Sequence, residues 1–357
     1  MKVKAEGRLV KAQTKFAGAR AKQVSAPVES TPVAPKCSYA DALQQGLSQA
    51  MELDDRVFVL GQLVDYKPGV FGTTTGLVEK FGADRVQDFP VSESVMTSAA
   101  IGAALAGMRP VLIHHRLDFM IYSMDAIVNW LSLWRFKSDN QSGLPVTIRA
   151  IVGKGWGQGP QHSKSLHAWF AHLPGIKVAM PATAFDAKGL LLESIFSEDP
   201  TIIIEHRSLF GLSDNVPTEP YRVRFGKAIV RRTGKSATIA AIGIMVPLAL
   251  RAAAQLSEKS IDVEVVDMRT VSPLDSATVC ESVVKTGRLI VADPAWRTGS
   301  VAAEIMAAVC ERVGRDLKAN PARVCLPDSH TPMSSALEQI YYPDETTIVN
   351  QVLAQFE

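Results

Sequence analysis

Residues 85–108 read RVQDF, PVSES, VM and then TSAAIGAALAGM: a short strand candidate over 85–89, a turn carrying one carboxylate at Glu93, and a small-residue helix candidate over 97–108. A further apolar run follows at once over 110–114. A strand, a helix and a second strand in so short a span form a βαβ unit, whose strands run parallel. In an open parallel sheet, ligands bind in the crevice beyond the carboxyl ends of the strands. Glu93, just past the first strand, is therefore expected on the floor of that crevice. An acid at a helix start would equally satisfy orphan backbone N–H groups, so position alone leaves two readings open.

On both sides of this unit the chain repeats its plan. From Ser38 onward, strands are expected at 57–61, 85–89, 110–114, 146–152 and 201–205, with helices at 39–52, 97–108, 123–136 and 183–197. Such alternation belongs to a parallel sheet covered on both faces. Residues 208–227, with Gly211, Pro217 and Pro220, show no periodicity and read as a linker. A second set then begins, with strands at 237–244, 263–268, 289–292 and 324–326 and helices near 246–257, 276–285, 301–313 and 345–355. The expected fold class is α/β, with two doubly wound domains, the first larger and mainly parallel.

Composition narrows the function classes. The 357 residues are 47% hydrophobic and 21% charged, enough for two cores. No apolar run approaches the roughly 20 residues that cross a bilayer, so no membrane association is expected. Cys37, Cys280, Cys310 and Cys325 lie far apart without a C-x-x-C pair, which suggests neither a zinc site nor a disulfide framework. Residues 1–36 hold eight Lys or Arg against Glu6 and Glu29, an excess of six in a total charge of +2, so the rest carries about −4. This arm, ending in a Pro-rich run, reads as a basic flexible extension, an arm docking on a partner, or a transit peptide. Cytoplasmic placement is expected, or the mitochondrial matrix if the arm is a transit peptide. The arm lacks interleaved aromatics, so nucleic acid is not an expected partner.

Four further features carry candidate chemistry. Gly153, Gly155, Gly157 and Gly159 follow a strand, but the run passes into Pro160-Gln161-His162-Ser163 without the spacing of a dinucleotide or phosphate loop. A glycine loop that delivers His162 to the pocket is the favoured reading, with proton shuttling as the chemistry an imidazole supplies. His167 and His172 lack an H-E-x-x-H pattern and are expected to make local or interface contacts rather than bind metal. At the end of the third strand, His114-His115-Arg116 should place His114 and Arg116 on one face by alternation. An Arg116 facing the pocket suits an anionic or heavily hydroxylated substrate. Phe119 is either core or a flat partner for a heteroaromatic ring.

In order along the chain, Gly69-Val70-Phe71 with Thr75-Gly76-Leu77, Pro90-Val91-Ser92-Glu93, Gly159-Pro160-Gln161-His162-Ser163, Phe170-Ala171-His172-Leu173-Pro174-Gly175, Val265 to Asp275 and Arg297-Thr298-Gly299 resemble the β subunit of thiamine-diphosphate-dependent 2-oxo acid dehydrogenases, the pyruvate and branched-chain type. The resemblance covers Ser38 to the C-terminus. It implies a pyrimidine-binding transketolase-like domain over 37–210, a linker over 211–227 and a transketolase C-terminal-like domain over 228–357. It implies that Glu93 hydrogen-bonds N1′ of the aminopyrimidine of thiamine diphosphate, favouring the tautomer whose 4′ nitrogen removes the C2 proton. Val91 and Phe119 match positions lining the pyrimidine, and His162 matches a histidine assisting proton transfer and acyl hand-over to a lipoyl arm. Decarboxylation of a 2-oxo acid with acyl transfer to lipoamide is the activity so implied.

The chain contains no Gly-Asp-Gly, the motif that in this family holds the diphosphate and Mg²⁺. By resemblance it is half of a site. The cofactor would be shared with an α-type subunit carrying Mg²⁺ in an α2β2 assembly, with a lipoyl-bearing acyltransferase as a further partner and no metal on this chain. A monovalent-ion site near Thr147 is also implied, although Ser197 stands where an acidic ligand is usual. Gln62 stands where Gly-Glu-Asp is usual, and His114-His115-Arg116 is more basic than the family pattern. These departures keep open a split transketolase-like enzyme that transfers a ketol unit or forms a C–C bond on a polar or sugar-derived substrate. A non-catalytic assembly subunit is the third reading.

Overall fold

The computed structural model describes residues 34–155 and 157–357; most of the basic extension expected over 1–36 lies outside the described residues. The first half supplies strands β1 (Lys36–Ser38), β2 (Val57–Gly61), β3 (Val86–Asp88), β4 (Arg109–His114), β5 (Thr147–Val152), β6 (Lys177–Ala179), β7 (Thr201–His206) and β8 (Ser213–Asn215). The second half supplies β9 (Ile229–Arg232), β10 (Ala237–Ala241), β11 (Val263–Asp267), β12 (Thr270–Ser272), β13 (Leu289–Trp296) and β14 (Ala322–Leu326). They form a seven-stranded sheet of order β12-β6-β7-β5-β4-β2-β3, a five-stranded sheet of order β14-β13-β10-β11-β9, and a small pair of β1 with β8. Only β12 and β9 run antiparallel in the two large sheets. The expected two-domain α/β architecture is the one observed.

Strands β2, β4, β5 and β7 are buried along their whole length, as central parallel strands covered on both faces must be. Alternation sorts their side chains. Val111 and Ile113 of β4 join Leu43, Leu47 and Leu191 beneath helices α1 (Tyr39–Leu53) and, later in the chain, Ala184–Ile195. Leu112 faces Met96, Ala100 and Phe170 on the other side. Both covering helices begin on a hydroxyl cap: Ser38 accepts from Asp41 N at 3.1 Å, and Thr183 accepts from Asp186 N at 3.1 Å.

The two halves interlock. β12, from the second half, pairs with β6 of the first sheet. Asp186, fully buried, receives Arg231 and lies 2.8 Å from Arg269, while Arg231 also reaches Asp267 at 2.9 Å. Residues expected as linker are tied down: Lys188 donates to Pro217 O at 2.6 Å, and Tyr221 donates to Phe185 O at 2.7 Å.

Two local expectations are corrected. The helix expected over 97–108 is Glu93–Leu105: it starts four residues earlier, directly after Ser92, because nothing in Ser94 to Met96 opposes helical backbone. The helix expected over 123–136 is broken into Met124–Ala126, a π-helical segment Ile127–Leu131 and Trp134–Lys137. Ser132 N bonds Ile127 O at 3.0 Å, five residues back, which widens the turn as π-bulges do. The three-residue strands β6 and β12 are too short for periodicity to show.

Candidate active site

The first sheet reverses direction between β2 and β4: the chain leaves β2 for β3 on one side and leaves β4 for β5 on the other. Ligand crevices form at such a switch point. Gly61 ends β2 there, and a Cβ would stand 2.6 Å from Ile113 O of β4. Only glycine lets the strands close at this point. Gln62 follows immediately, and His115 Nε2 donates to its carbonyl at 2.7 Å, bridging the two strand ends.

Gln62 also turns its side chain to the predicted carboxylate, Nε2 donating to Glu93 Oε1 at 3.3 Å. Glu93 is the first residue of its helix and is half-buried, and Ser92 makes no side-chain cap. The N-terminal end of a 13-residue helix therefore meets a carboxylate held from the side by an amide. Thr97, one turn on, places Oγ1 3.4 Å from His114 Nε2 and donates to Ser123 Oγ at 2.8 Å. Burial pushes the His114 imidazole down to about 3, with His115 adding to the shift, so His114 is neutral.

Phe119 and His162 meet edge to face, with ring centroids 5.3 Å apart. His162 reaches this place through its loop: Gly153 N donates to His162 O at 3.1 Å, closing the segment between them. A Cβ on Gly153 would collide with that carbonyl. His162 Nδ1 lies 3.3 Å from Gln158 O. Asp118, beside Phe119, is buried and accepts from Lys164 N at 3.3 Å and Lys164 Nζ at 3.1 Å.

The structure thus brings Glu93 to Gln62, and Phe119 to His162, on adjoining strand ends. Val91 stands 79% exposed on the turn before Glu93. His167 lies on its own, buried 3.0 Å from Asp293 Oδ1 of the second domain. Arg116 departs from the expected alternation. β4 ends at His114, so the period of two no longer applies, and Arg116 joins His115 rather than His114. Its guanidinium lies 5.2 Å from the Phe71 ring, and the His115 ring 5.8 Å from the same phenyl. Gln62 as a partner for Glu93 was not foreseen; its place directly after β2, beside the switch point, was the available signal. Among the described residues, no cluster of three or more His, Cys, Asp or Glu has the geometry to hold a metal ion.

A seven-stranded doubly wound sheet whose switch point carries the Glu93 carboxylate, locked to a smaller, mainly parallel sheet, defines the transketolase type of two-domain chain. Comparison with known proteins agrees. Residues 35–212 match the transketolase pyrimidine-binding domain family and residues 226–348 the transketolase C-terminal domain family. The chain is 41% identical over 326 residues to the acetoin:2,6-dichlorophenolindophenol oxidoreductase subunit beta of Cupriavidus necator, spanning 88% of this chain and 96% of that protein. It is 38% identical over 323 residues to the 2-oxoisovalerate dehydrogenase subunit beta of Bacillus subtilis, covering 89% and 99%. It is also 38% identical over 321 residues to the pyruvate dehydrogenase E1 component subunit beta of Staphylococcus epidermidis, covering 90% and 98%. A solved split-gene transketolase, described as an inactive beta4 tetramer, superposes with a TM-score of 0.74 at 22% identity over 89% of this chain and 97% of that one, a likeness of fold. The chain belongs to the family of β subunits of 2-oxo acid and acetoin dehydrogenases, a thiamine-diphosphate-dependent group.

Proposed function

We propose that this chain is the pyrimidine-binding half of a two-subunit thiamine-diphosphate enzyme that decarboxylates a 2-oxo acid and passes the acyl group to lipoamide. The observation that carries the reading is Glu93 at the switch point, held by Gln62, with the Phe119–His162 ring pair on the neighbouring strand ends. The donor set fits one end of the cofactor only. A half-buried carboxylate with a free approach and a phenyl ring suit an aminopyrimidine, which offers ring nitrogens and a flat face. Among the described residues, nothing comparable suits a diphosphate with Mg²⁺, so that end is assigned to an α-type partner in an α2β2 assembly.

The rim supports a missing partner. Tyr122 is 70% exposed, Tyr66 64%, Val95 54% and Leu63 51%, besides Val91. They lie on the segments that follow β2, β3 and β4, and exposed apolar side chains on such segments suit an interaction surface. When bound, thiamine diphosphate supplies a carbon nucleophile able to accept electrons from the departing carboxylate. In that arrangement Glu93 holds a proton against the pyrimidine N1′, Val91 and Phe119 fix the ring plane, and His162 moves a proton at the substrate oxygen. Transfer of a ketol unit by a split transketolase-like enzyme is the second reading, favoured by the basic residues His115 and Arg116 at the crevice.

The test is reconstitution with the α-type partner. Turnover of a 2-oxo acid with lipoamide should require both chains and the cofactor, and Glu93→Gln should lower kcat by about 10²–10⁴-fold, the range of general acid–base contributions. Undiminished turnover in that variant would leave only the assembly role.

A further inference from the structure

The loop that carries His162 is held from outside its own domain. Gly155 and Gly159 take φ values of +80° and +59°, and glycines in such backbone give a loop little of its own to fix it. The fixing comes from the short helix Ser335–Tyr341 of the second domain and the residues flanking it. Gly155 N donates to Glu338 Oε1 at 3.2 Å, and the Lys154 ammonium lies 4.3 Å from the centre of the Tyr342 ring. Gly159 faces Met333 so closely that a Cβ would stand 2.5 Å from its Cγ. Lys154 and Ser163 on one side and Tyr342 and Pro343 on the other line a cavity of about 20 Å³, room for a single water.

These contacts bracket His162. Gly153 N donates to His162 O at 3.1 Å, closing the loop at its neck, and Glu338 and Met333 meet positions 155 and 159 within it. The helix is anchored in turn: Tyr341 OH donates to Ser329 O at 2.7 Å and accepts from Trp296 Nε1 at 2.9 Å. Glu338 is buried, and a buried carboxylate is costly unless it is bonded. It meets Gly155 N, and its charge opposes the lowering that burial imposes on the pKa of Lys154, so the acid sits among groups of the loop. A proton-transfer group tolerates little misplacement, since an error of about 1 Å can cost about 10²-fold in rate.

Resting on the role given to His162 above, we infer that Glu338 is a positioning residue supplied by the second domain: with Tyr342 and Met333 beside it, it holds the glycine loop so that the His162 imidazole stays against Phe119 at the crevice. The second domain then contributes to the chemistry at the first edge without touching the substrate.

The test uses the complex reconstituted with the α-type partner, thiamine diphosphate and Mg²⁺. Glu338→Ala should lower kcat by about 10–100-fold with KM for the 2-oxo acid changed far less, while Glu338→Gln, which keeps an acceptor for Gly155 N, should stay within about 3-fold of the wild type. The deciding measurement is the pair with His162→Ala. If Glu338 acts through His162, the double variant turns over within about 2-fold of His162→Ala alone, whereas a merely structural role multiplies the two losses. Tyr342→Leu, which removes the ring beside Lys154, should show the same non-additivity with a smaller loss, and it carries the test if Glu338→Ala does not fold. Amide exchange at Gly153, Gly155 and Gly159 reads the contact without turnover: it should quicken in Glu338→Ala and return toward wild-type rates in Glu338→Gln. Unchanged exchange, or losses that multiply, overturns the inference. If His162→Ala turns over like the wild type, the role given to His162 is what fails; quickened exchange in Glu338→Ala then keeps Glu338 as the holder of the loop, and unchanged exchange removes it.

Discussion

The two parallel sheets of this chain have carboxyl edges of opposite character. At the edge of the first sheet, buried polar atoms without hydrogen-bond partners gather: His114 Nδ1, Arg116 Nε, Asp118 Oδ2 and Gln158 Oε1. At the edge of the second, around an open cavity of about 430 Å³, polar groups are satisfied from within. Asp328 accepts from Thr298 N at 3.0 Å and Thr298 Oγ1 at 2.7 Å, and Trp296 Nε1 donates to Ser329 O at 2.7 Å and Tyr341 OH at 2.9 Å. Leaving a buried polar atom unpaired costs about 1–3 kcal/mol. A site awaiting a ligand gives such atoms a reason to persist at one place. The same architecture has thus been spent on chemistry at one end and on cohesion at the other.

The largest break in this contrast should come from Glu93→Gln, which removes the ionisable group and keeps its shape. Circular dichroism and the melting temperature should stay at wild-type values, because the side chain is half-buried and, among the described residues, bonded through the Gln62 amide alone, while turnover falls by the factor given above. A matching loss of stability would mean that Glu93 is a helix-start acid after all.

Asp293→Asn should do the reverse. Asp293 is wholly buried, accepts from Ala295 N at 2.9 Å and Ala302 N at 3.0 Å, and faces His167 across the domain boundary. Weakening a buried carboxylate that accepts several hydrogen bonds costs about 1–3 kcal/mol, read as a lower midpoint in urea. Burial alone would raise the pKa of this carboxyl, but His167 and the two N–H donors hold it below its ordinary value. A depressed carboxylate stabilises the fold fully above the unfolded-state value of about 3.9 and loses that contribution as pH falls below it. The wild type should therefore lose stability on acidification below about pH 4 more steeply than Asp293→Asn.

How much of this was legible beforehand follows from the reach of each signal. The strands β2, β4, β5 and β7 announce themselves as continuous apolar runs; Phe119 and His162 follow β4 and β5, and Glu93 follows the short β3, so strand order in the sequence is enough to nominate them. Arg116 departs from the expectation because alternation is extended two residues past the end of β4, just before the chain turns into a helix at Leu117. The Gln62–Glu93 contact depends on β2 and β3 being neighbours, a pairing 31 residues apart in sequence. The His167–Asp293 contact joins two domains across 126 positions, and no local pattern encodes it. Fold and site position were readable where the information was local; the partners of each site residue were not, because those are fixed by tertiary packing.

Gln62→Glu sharpens the contrast with a smaller effect. It places a second carboxylate where an amide now donates to Glu93, and two acids sharing a site hold a proton more tightly. The acid limb of the kcat/KM profile should move to higher pH by about one unit, equivalent to about 1.4 kcal/mol, with the fold unchanged. An unmoved limb would mean that Gln62 and Glu93 are not in contact in the assembled enzyme.

The smallest effect is expected at the other edge, from Asp328→Ala. Its two oxygens serve Thr298 alone in the hydrogen bonds above, and the carboxylate stands in solvent. Its pKa is lowered first by the Thr298 hydroxyl and amide, with Arg297 adding to them, so the group ties the loop after β14 to the loop after β13. Removing it should loosen residues 298 and 328–330 locally, visible as faster amide exchange there, and leave kcat and KM as they were. A change in either would show that the second edge communicates with the first, and the route would have to run through Glu338 and Gly155 or through Asp293 and His167, the buried contact that joins β13 to the segment following the His162 loop.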